Sequence, residues 1–362
     1  MGFTCGLVGL PNAGKSTIFN ALSGAGARVE NYPFCTIEAN LGTVAVPDLR
    51  LDQLSVLLPE KKKIPTQLEF VDIAGLVEGA SHGEGMGNQF LSEIRTVDAL
   101  VHVVRCFEDA NIAHVTSEID PKRDIDIVET ELLLKDYETL NRVAERLSRE
   151  AKGGNHRVAS RLDAWNAIIE NVAQGIPLRE MPIGQEIAPL VKETSLLTAK
   201  PLLYVANVGE RGENPYAQTV QQIARERKAE ALTIRGRIEA EIVDTADDPE
   251  ERRAYLAEWG LNETGLNRLI QTGYRILHLV TFFTIEGPEV RAWTVPEGTI
   301  APKAGARIHS DFAERFVTAE VMPLESLLAA GSEQALRDAG KVHRAGHDYV
   351  VQDGDIIHFI CA

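Results

Sequence analysis

The chain alternates short apolar runs with longer stretches of mixed polarity. Apolar runs of strand length lie at residues 68–73, 99–107 and 201–207, and a further one ends at Val8. Continuous runs of this length are typical of strands that a sheet buries on both faces. The intervening segments are long enough for helices, so the pattern predicts an α/β fold.

Between Pro121 and Lys200 the pattern becomes helical. Apolar residues recur at alternating steps of four and three on both sides of a break at Gly153-Gly154-Asn155. The predicted seam comprises Leu133, Tyr137, Leu140, Ala144 and Leu147 before the break and Val158, Leu162, Trp165, Ile169 and Val172 after it. Glycine and asparagine adopt the left-handed backbone conformation that a tight turn between helices needs. Residues 121–199 are therefore predicted to form an inserted antiparallel helical hairpin.

The C-terminal part, residues 280–362, reads as a small mixed β domain. Short alternating segments there predict strands at 282–285, 290–295 and 356–360. His309, Asp311 and His343 lie in this part without the spacing of metal ligands. No catalytic or metal site is predicted in it.

The first apolar run leads into a complete phosphate-binding loop. Gly9-Leu10-Pro11-Asn12-Ala13-Gly14-Lys15-Ser16-Thr17 has the Gly-x4-Gly-Lys-Ser spacing between a strand and a helix. Its amides would surround a β-phosphate, Lys15 would bridge the β- and γ-phosphates, and Ser16 would offer its hydroxyl to Mg2+. The predicted nucleotide contacts are Asn12, Ala13, Gly14, Lys15, Ser16 and Thr17. The competing interpretation is a glycine-rich turn with a chance Lys-Ser.

A second acidic group for Mg2+ follows at the end of the run at 68–73. Asp72 is predicted to hold the metal through water, and the amide of Gly75 in the same D-x-x-G pattern is predicted to sense the γ-phosphate. Thr36, in the loop between these motifs, is the candidate third Mg2+ ligand in the triphosphate state. Its alternative is an ordinary threonine of a surface loop.

The residue after Gly75 is Leu76, where many switch hydrolases have a glutamine that orients the attacking water. An alkyl side chain cannot do this. His114, in the polar loop after the third apolar run, is the candidate catalytic residue, because an imidazole could position or polarise that water. The alternative is a solvated loop histidine.

Base selection is expected at Asn207-Val208-Gly209-Glu210, which ends a strand. Guanine-specific switches have Asn-Lys-x-Asp here, and this chain replaces the lysine with Val208 and the aspartate with Glu210. Adenine, with an N6 donor and an N1 acceptor, is the predicted base, held by the backbone and Asn207. The alternative is a strand followed by a glycine turn. With the phosphate loop, these residues assign 1–120 and 200–279 to one nucleotide-binding domain.

Charge and composition narrow the partners. The net charge is −16, so an RNA contact would need a local basic patch. Near the tip of the predicted hairpin such a patch comprises Arg142, Arg146, Arg149, Lys152, Arg157 and Arg161, although pairing with neighbouring glutamates would explain it equally well. The four cysteines lack the spacing of a zinc site or a disulfide framework. Neither a membrane span nor a secretion signal is predicted, and the expected location is the cytoplasm.

These motifs together resemble the YchF (Obg-like ATPase) family of translation-factor GTPases. The resemblance rests on the phosphate loop, Asp72-Ile73-Ala74-Gly75-Leu76, Gly79-Ala80-Ser81-His82-Gly83-Glu84-Gly85 and Asn207-Val208-Gly209-Glu210. His309-Ser310-Asp311-Phe312 and the segment from Val350 to Asp355 are similar to the family's TGS domain, of β-grasp fold.

The resemblance implies a G domain interrupted by a helical hairpin, ATP preferred over GTP, and association with the ribosome, with the large subunit as the expected site. It also implies that Asn12 helps to bind K+ and that His114 replaces the missing glutamine. The family's last nucleotide loop usually holds small residues. Here it includes Arg235-Gly236-Arg237, in which Gly236 is the predicted backbone contact and an arginine is expected near the purine.

The preferred interpretation is a Mg2+-dependent ATPase switch that hydrolyses ATP slowly and engages the ribosome. Two alternatives are a non-enzymatic scaffold that nucleotide merely stabilises and a GTP-specific switch. A small-molecule kinase ranks last, because no base for an acceptor follows the phosphate loop.

Overall fold

In the computed structural model of the protein, the described residues are 2–24, 28–31, 40–73, 86–109, 118–152, 156–210, 214–245, 249–261 and 263–362. The strands in this part of the chain are β1 (Thr4–Val8), β2 (Arg28–Asn31), β3 (Asn40–Ala45), β4 (Lys62–Ile64), β5 (Gln67–Asp72), β6 (Ala99–Cys106), β7 (Leu202–Val208), β8 (Glu230–Ile234), β9 (Leu279–Thr284), β10 (Glu289–Pro296), β11 (Phe316–Pro323), β12 (His343–Ala345) and β13 (Asp355–Cys361).

The helices are α1 (Lys15–Gly24), α2 (Leu49–Leu57), α3 (Met86–Thr96), α4 (Pro121–Ala151), α5 (His156–Ala173), α6 (Ala188–Thr194), α7 (Pro215–Glu226), α8 (Gly236–Thr245), α9 (Pro249–Glu258), α10 (Gly265–Ile276), α11 (Ala301–Gly305), α12 (Asp311–Glu314), α13 (Leu324–Ala330) and α14 (Glu333–Asp338). Short 3-10 helices span Leu178–Glu180 and Leu197–Ala199. Among the described helices, none has the length and apolar character needed to cross a membrane.

The chain divides into two compact units, the first formed by residues 1–44 and 69–273. Within its described residues, seven strands form a sheet in the order β2-β3-β5-β1-β6-β7-β8. The pairs β5-β1, β1-β6, β6-β7 and β7-β8 are parallel. Every residue of β1, β6 and β7 is buried, as expected for parallel strands covered on both faces. The predicted α/β class is confirmed.

The main core of this unit lies between the sheet and the helices α3, α4 and α7. It includes Ile73, Leu91 and Val104 with Val128 and Val220. Because the strands are parallel, the loops after β1, β6, β7 and β8 all leave from one edge of the sheet. Ligands of open α/β sheets bind at this edge.

The predicted hairpin is present as α4 and α5. The first half of α4 contributes Ile125, Val128 and Leu132 to the main core, and its second half packs against α5. Trp165 of α5 is fully buried, and its indole Nε1 donates to the carbonyl of Leu140 at 2.9 Å. One continuous helix therefore joins the arm to the nucleotide-binding core.

One residue of the predicted seam is wrong, and one residue is missing from it. Tyr137 is 40% exposed, and Ile168, which the predicted seam omits, is among the buried residues of α5. The steps from Trp165 to Ile168 and from Ile168 to Val172 are three and four residues, so these three side chains share a face of the helix. Ile169 lies beside that face, is partly buried and packs against the same cluster.

The second unit comprises residues 45–68 and 274–362. Its sheet has the order β12-β11-β13-β9-β10-β4 and mixes parallel and antiparallel pairs. Strands β9, β10 and β13 agree with the predicted C-terminal strands to within a few residues.

The sequence prediction places residues 45–68 in the nucleotide-binding domain, but in the structure they belong to the second unit. In the structure, β4 pairs with β10, and Leu51 and Leu54 of α2 pack with Phe283 and Val290. The C-terminal strands alone leave this apolar surface uncovered, and a helix from early in the chain covers it. The local apolar pattern of 45–68 is equally compatible with either unit.

Candidate nucleotide-binding site

The phosphate loop joins β1 to α1 with an unusual backbone. Asn12 has φ 62° and Gly14 has φ 95°, both in the left-handed region, and the amide of Ile18 donates to the carbonyl of Gly14 at 3.1 Å. A Cβ on Gly14 would lie 2.1 Å from Nδ2 of Asn207. Glycine is therefore required at position 14 both for its conformation and for the close approach of Asn207.

Lys15 is held inside this loop. Its side chain is 7% exposed, and its Nζ donates to the carbonyls of Gly9 at 3.2 Å and Leu10 at 3.0 Å. Burial lowers the pKa of the Lys15 ammonium to about 8, and the nearby charge of Asp72 opposes that shift. A phosphate would supply the full negative charge that two carbonyl dipoles do not.

Ser16 and Asp72 form the pair expected of a Mg2+ site. The Ser16 hydroxyl donates a hydrogen bond to the Asp72 carboxylate. Burial raises the pKa of Asp72, while this hydrogen bond and the charge of Lys15 oppose the shift. Hydroxyl and carboxylate oxygens are the hard donors that Mg2+ prefers. In the described part of the chain, no group of three or more His, Cys, Asp or Glu side chains could hold a metal.

A cavity of about 1070 Å3 opens at the edge of the sheet where these loops meet. Its walls come from the phosphate loop and from the segments after β6, β7 and β8, and its volume suits a nucleotide. The lining residues are Asn12, Gly14, Lys15, Ser16, Thr17, Cys106, Phe107, Glu108, Asp109, Asn207, Val208, Gly209, Glu210, Asn214, Pro215, Tyr216, Arg235, Arg237 and Ile238.

Asn207 connects three of these walls. It is 4% exposed, its Nδ2 donates to the carbonyl of Ala13 at 3.0 Å, and its Oδ1 accepts from the amide of Gly236 at 3.1 Å. Both polar groups of the side chain thus have protein partners. Asn207 positions the phosphate loop and the loop after β8, and direct contacts to a base would come mainly from the groups around it.

Aromatic and polar side chains form the wall after β6. The Arg105 guanidinium lies over the Phe107 ring, 4.7 Å from its centroid, and Phe107 lines the cavity. The Asn214 amide donates to the carbonyl of Cys106 at 2.6 Å, and its side-chain oxygen accepts from the amide of Ala217 as the N-cap of α7. These bonds fix the loop after β6 to the start of α7.

Most of the predicted site residues meet at this cavity. Asn12, Gly14, Lys15, Ser16, Thr17, Asn207 and Glu210 line it, Ala13 and Gly236 bind Asn207, and Asp72 binds Ser16. Thr36, Gly75 and His114 lie outside the described residues, so their predicted roles stay predictions.

Several wall residues are not predicted from the sequence. Asn214 has a detectable signal, because Asn-Pro at the start of a helical segment is typical of an N-cap followed by proline at N1. Phe107 and Tyr216 carry no such signal, since an aromatic residue after a strand or in a first helical turn is ordinary.

The fold and the site define a P-loop nucleotide-binding protein. Residues 4–136 match the family model described as 50S ribosome-binding GTPase, and residues 279–361 match the C-terminal model of YchF GTPases, described as a protein of unknown function.

Relatives extend over nearly the whole chain. It is 45% identical over 362 residues to the Ribosome-binding ATPase YchF of Escherichia coli O157:H7 and 46% identical over 364 residues to that of Bacillus subtilis, with 99% of both chains covered in each case. The solved structure of the Schizosaccharomyces pombe YchF GTPase is similar with a TM-score of 0.88 and 34% identity, covering 99% of this chain and 97% of that one. The chain belongs to the YchF family.

Proposed function

We propose that this protein is a Mg2+-dependent nucleoside-triphosphate hydrolase that binds ATP in preference to GTP and associates with the ribosome in the cytoplasm. The observation that carries the proposal is the buried Lys15 beside the Ser16-Asp72 pair, at the mouth of a nucleotide-sized cavity. The relatives named Ribosome-binding ATPase YchF support the activity and the partner.

The chemistry at the phosphates follows from the residues around them. Lys15 would exchange its bonds to Gly9 and Leu10 for the β- and γ-phosphate oxygens and neutralise charge that develops there. Ser16, Asp72 and Thr36 would hold Mg2+, which would offset negative charge on the phosphates. Asn12 lines the same cavity and would contribute to a K+ site.

Water activation is assigned to His114, since Leu76 cannot orient a water molecule. An imidazole that positions the water predicts that His114→Ala loses hydrolysis while ATP binding persists. If turnover were unchanged, the residue would have no catalytic role. A protein that binds ATP without hydrolysing it under any condition would instead be a nucleotide-stabilised scaffold.

The preference for ATP is inferred from the last residue of β7 and the segment after it. Val208 has no ammonium stem to cover a base, and Glu210 carries its carboxylate one methylene further from the backbone than the aspartate of guanine-specific switches. Equilibrium binding of ATP and GTP, each with Mg2+ and with either K+ or Na+, tests this. Tighter binding of GTP would overturn the proposed preference, and equal affinity in K+ and Na+ would remove the K+ site.

The helical arm is the proposed RNA contact, with the large ribosomal subunit as its target. Arg142, Arg146 and Lys152 are exposed near the tip, and Arg149 lies 3.6 Å from Glu145 with both side chains more than 70% exposed. Such exposed pairs exchange readily for phosphate contacts, because they contribute little to stability.

Charge reversal tests this contact. Arg142→Glu with Arg146→Glu should abolish cosedimentation with the large subunit at low salt while leaving ATP hydrolysis unchanged. The same change at Lys192, an exposed residue of α6, is the control. Undiminished cosedimentation of the double variant would exclude the arm as the contact.

A further inference from the structure

The direction in which a nucleotide lies across the site follows from the order of the strands. The phosphate loop follows β1, and β6, β7 and β8 come next in the sheet. At about 4.8 Å between neighbouring strands, β8 is about 14 Å from β1. A nucleotide with its phosphates in the loop after β1 therefore has its base near the loops after β7 and β8.

Two arginines occupy that end of the cavity. Arg235 directly follows β8, Arg237 lies in the first turn of α8, and both line the cavity. The amide of Gly236 between them donates to Oδ1 of Asn207 at 3.1 Å, and its Cα lies so close to Asn207 that a Cβ would approach Oδ1 to 2.9 Å. The backbone from which both side chains start is thus fixed beside the base position.

The present contacts of these arginines are easily exchanged. Nη1 of Arg235 is 3.4 Å from the carbonyl of Trp259, which is long for a hydrogen bond. Nε of Arg237 is 3.2 Å from Glu241 one helical turn away, with side-chain exposures of 73% and 61%. Exposed pairs of this kind are weak, so either guanidinium can turn towards a ligand at little cost.

The chemistry of a guanidinium selects between purines. Arginine has only donors, and the O6 and N7 atoms of guanine are two adjacent acceptors that match its fork. Adenine presents an amino donor at position 6, which cannot accept from arginine. Hypoxanthine has the same O6 and N7 acceptors as guanine and lacks the 2-amino group.

We propose that Arg235 and Arg237 read the O6 and N7 edge of a 6-oxopurine, so that this protein binds GTP and ITP more tightly than its Asn207 to Glu210 segment alone would allow. The inference rests on the proposed nucleotide site. If it holds, the ratio of ATP affinity to GTP affinity is smaller than the Asn207 to Glu210 segment alone would give. ITP reduces the contribution of Glu210, because it lacks the 2-amino group and offers that carboxylate only the N1–H.

The test is equilibrium binding of non-hydrolysable ATP, GTP and ITP analogues, with Mg2+, to the full chain. Arg235→Ala with Arg237→Ala should weaken GTP and ITP by about tenfold each, the scale of one good bidentate contact, and ATP by less than about twofold. A variant with lysine at both positions keeps the positive charges and loses the two-pronged donor of the guanidinium. Its ratio of GTP affinity to ATP affinity should therefore resemble that of the alanine variant. Arg225→Ala, an exposed arginine of α7 outside the cavity, should change nothing.

Equal weakening of all three nucleotides would overturn the proposal, because the arginines would then supply charge without reading the base. Unchanged GTP and ITP affinities in the alanine variant would also overturn it. If the unaltered protein bound none of the nucleotides, the proposed function itself would fail. ATP binding with hydrolysis, together with an unaltered GTP to ATP ratio, would remove only the role of the arginines.

Discussion

The two ends of the nucleotide cavity are built differently. At the phosphate end the backbone does most of the work, since the left-handed residues Asn12 and Gly14 shape the loop and Lys15 is held by two of its carbonyls. All of these groups come from one continuous segment. The shape of that loop is therefore set largely by local sequence.

At the base end a side chain does the equivalent work. Asn207 holds together Ala13, 194 residues away in sequence, and Gly236, 29 residues away. The groups that face the base then come from the separate segments after β6, β7 and β8. This end exists only when the parallel sheet has assembled.

This contrast determines which end of the cavity can vary in sequence. The geometry of a phosphate is the same in every nucleotide, and a backbone cradle suits it whatever the surrounding side chains are. A base is read by side-chain and backbone donors and acceptors, so substitutions at positions such as Arg235 and Arg237 can alter selectivity without disturbing the cradle. The predictions that follow test this division.

Removal of Lys15 should have the largest effect. Lys15→Ala removes the positive charge of the phosphate loop. It should lower the affinity for ATP by at least about a hundredfold, since charged hydrogen bonds to phosphate contribute about 1.5–3 kcal/mol each. Isothermal titration calorimetry measures the affinity, and circular dichroism checks the fold. Lys192→Ala is the matched control on an exposed surface. A loss below fivefold would show that the loop amides bind the phosphates without the lysine.

Asn207→Ala should come next, because it breaks the link between the two ends. Two buried hydrogen bonds are lost, and the amide of Gly236 and the carbonyl of Ala13 lose their partner, so we expect about 2–3 kcal/mol of destabilisation and about thirtyfold weaker ATP. Urea unfolding and calorimetry measure the two quantities.

Asn207→Asp separates the two bonds. The aspartate keeps an acceptor for the amide of Gly236 and loses the donor for the carbonyl of Ala13. Binding of the phosphates should therefore weaken, while the ratio of ATP affinity to GTP affinity is retained. A changed ratio with unchanged affinity for inorganic triphosphate would contradict the assignment of each bond to its end.

How far the sequence predicts this site depends on the same division. The phosphate loop, Lys15 and Ser16 are all recognisable because their spacing is local, and Asp72 follows from a strand end. The double role of Asn207 is not visible in the sequence, since its partners are set by the order β1-β6-β7-β8. Phe107 and Tyr216 are similarly found only when the loops meet.

The same distinction between local and distant partners explains which parts of the fold are predictable from the sequence. The helical arm has a sustained period and is predicted, apart from Tyr137, which is exposed, and Ile168, which the predicted seam omits. The transfer of residues 45–68 to the second unit is not predicted, because it depends on the pairing of β4 with β10 more than 200 residues later.

The pH dependence of binding should reveal the buried lysine with an effect of about tenfold. Burial lowers the pKa of Lys15 to about 8, whereas phosphates would favour its charged form, so binding takes up a proton above pH 8. The affinity for ATP should be constant below pH 7 and should fall by about tenfold between pH 7 and 9. In Lys15→Arg the affinity should be weaker and flat over this range, because arginine stays charged. A flat profile in the unaltered protein would mean that Lys15 is fully charged before nucleotide binds.

The smallest expected effect comes from replacing a glycine at the base end, where Gly236 and Gly209 should respond differently. A Cβ on Gly236 would lie 2.9 Å from Oδ1 of Asn207 and 3.2 Å from Cγ1 of Ile18, whereas a Cβ on Gly209 would meet only Cβ of Phe107 at an ordinary 3.6 Å. Neither glycine has a left-handed backbone, so sterics alone separates them. Asn207 is held at both ends and cannot yield without lengthening a hydrogen bond. Gly236→Ala should therefore lower the free energy of unfolding by about 1 kcal/mol and weaken ATP by about fivefold, and Gly209→Ala should do neither. If the two variants behaved alike, the hydrogen bonds of Asn207 would tolerate an added methyl group at position 236. The packing around Asn207 would then place no constraint on the loop after β8.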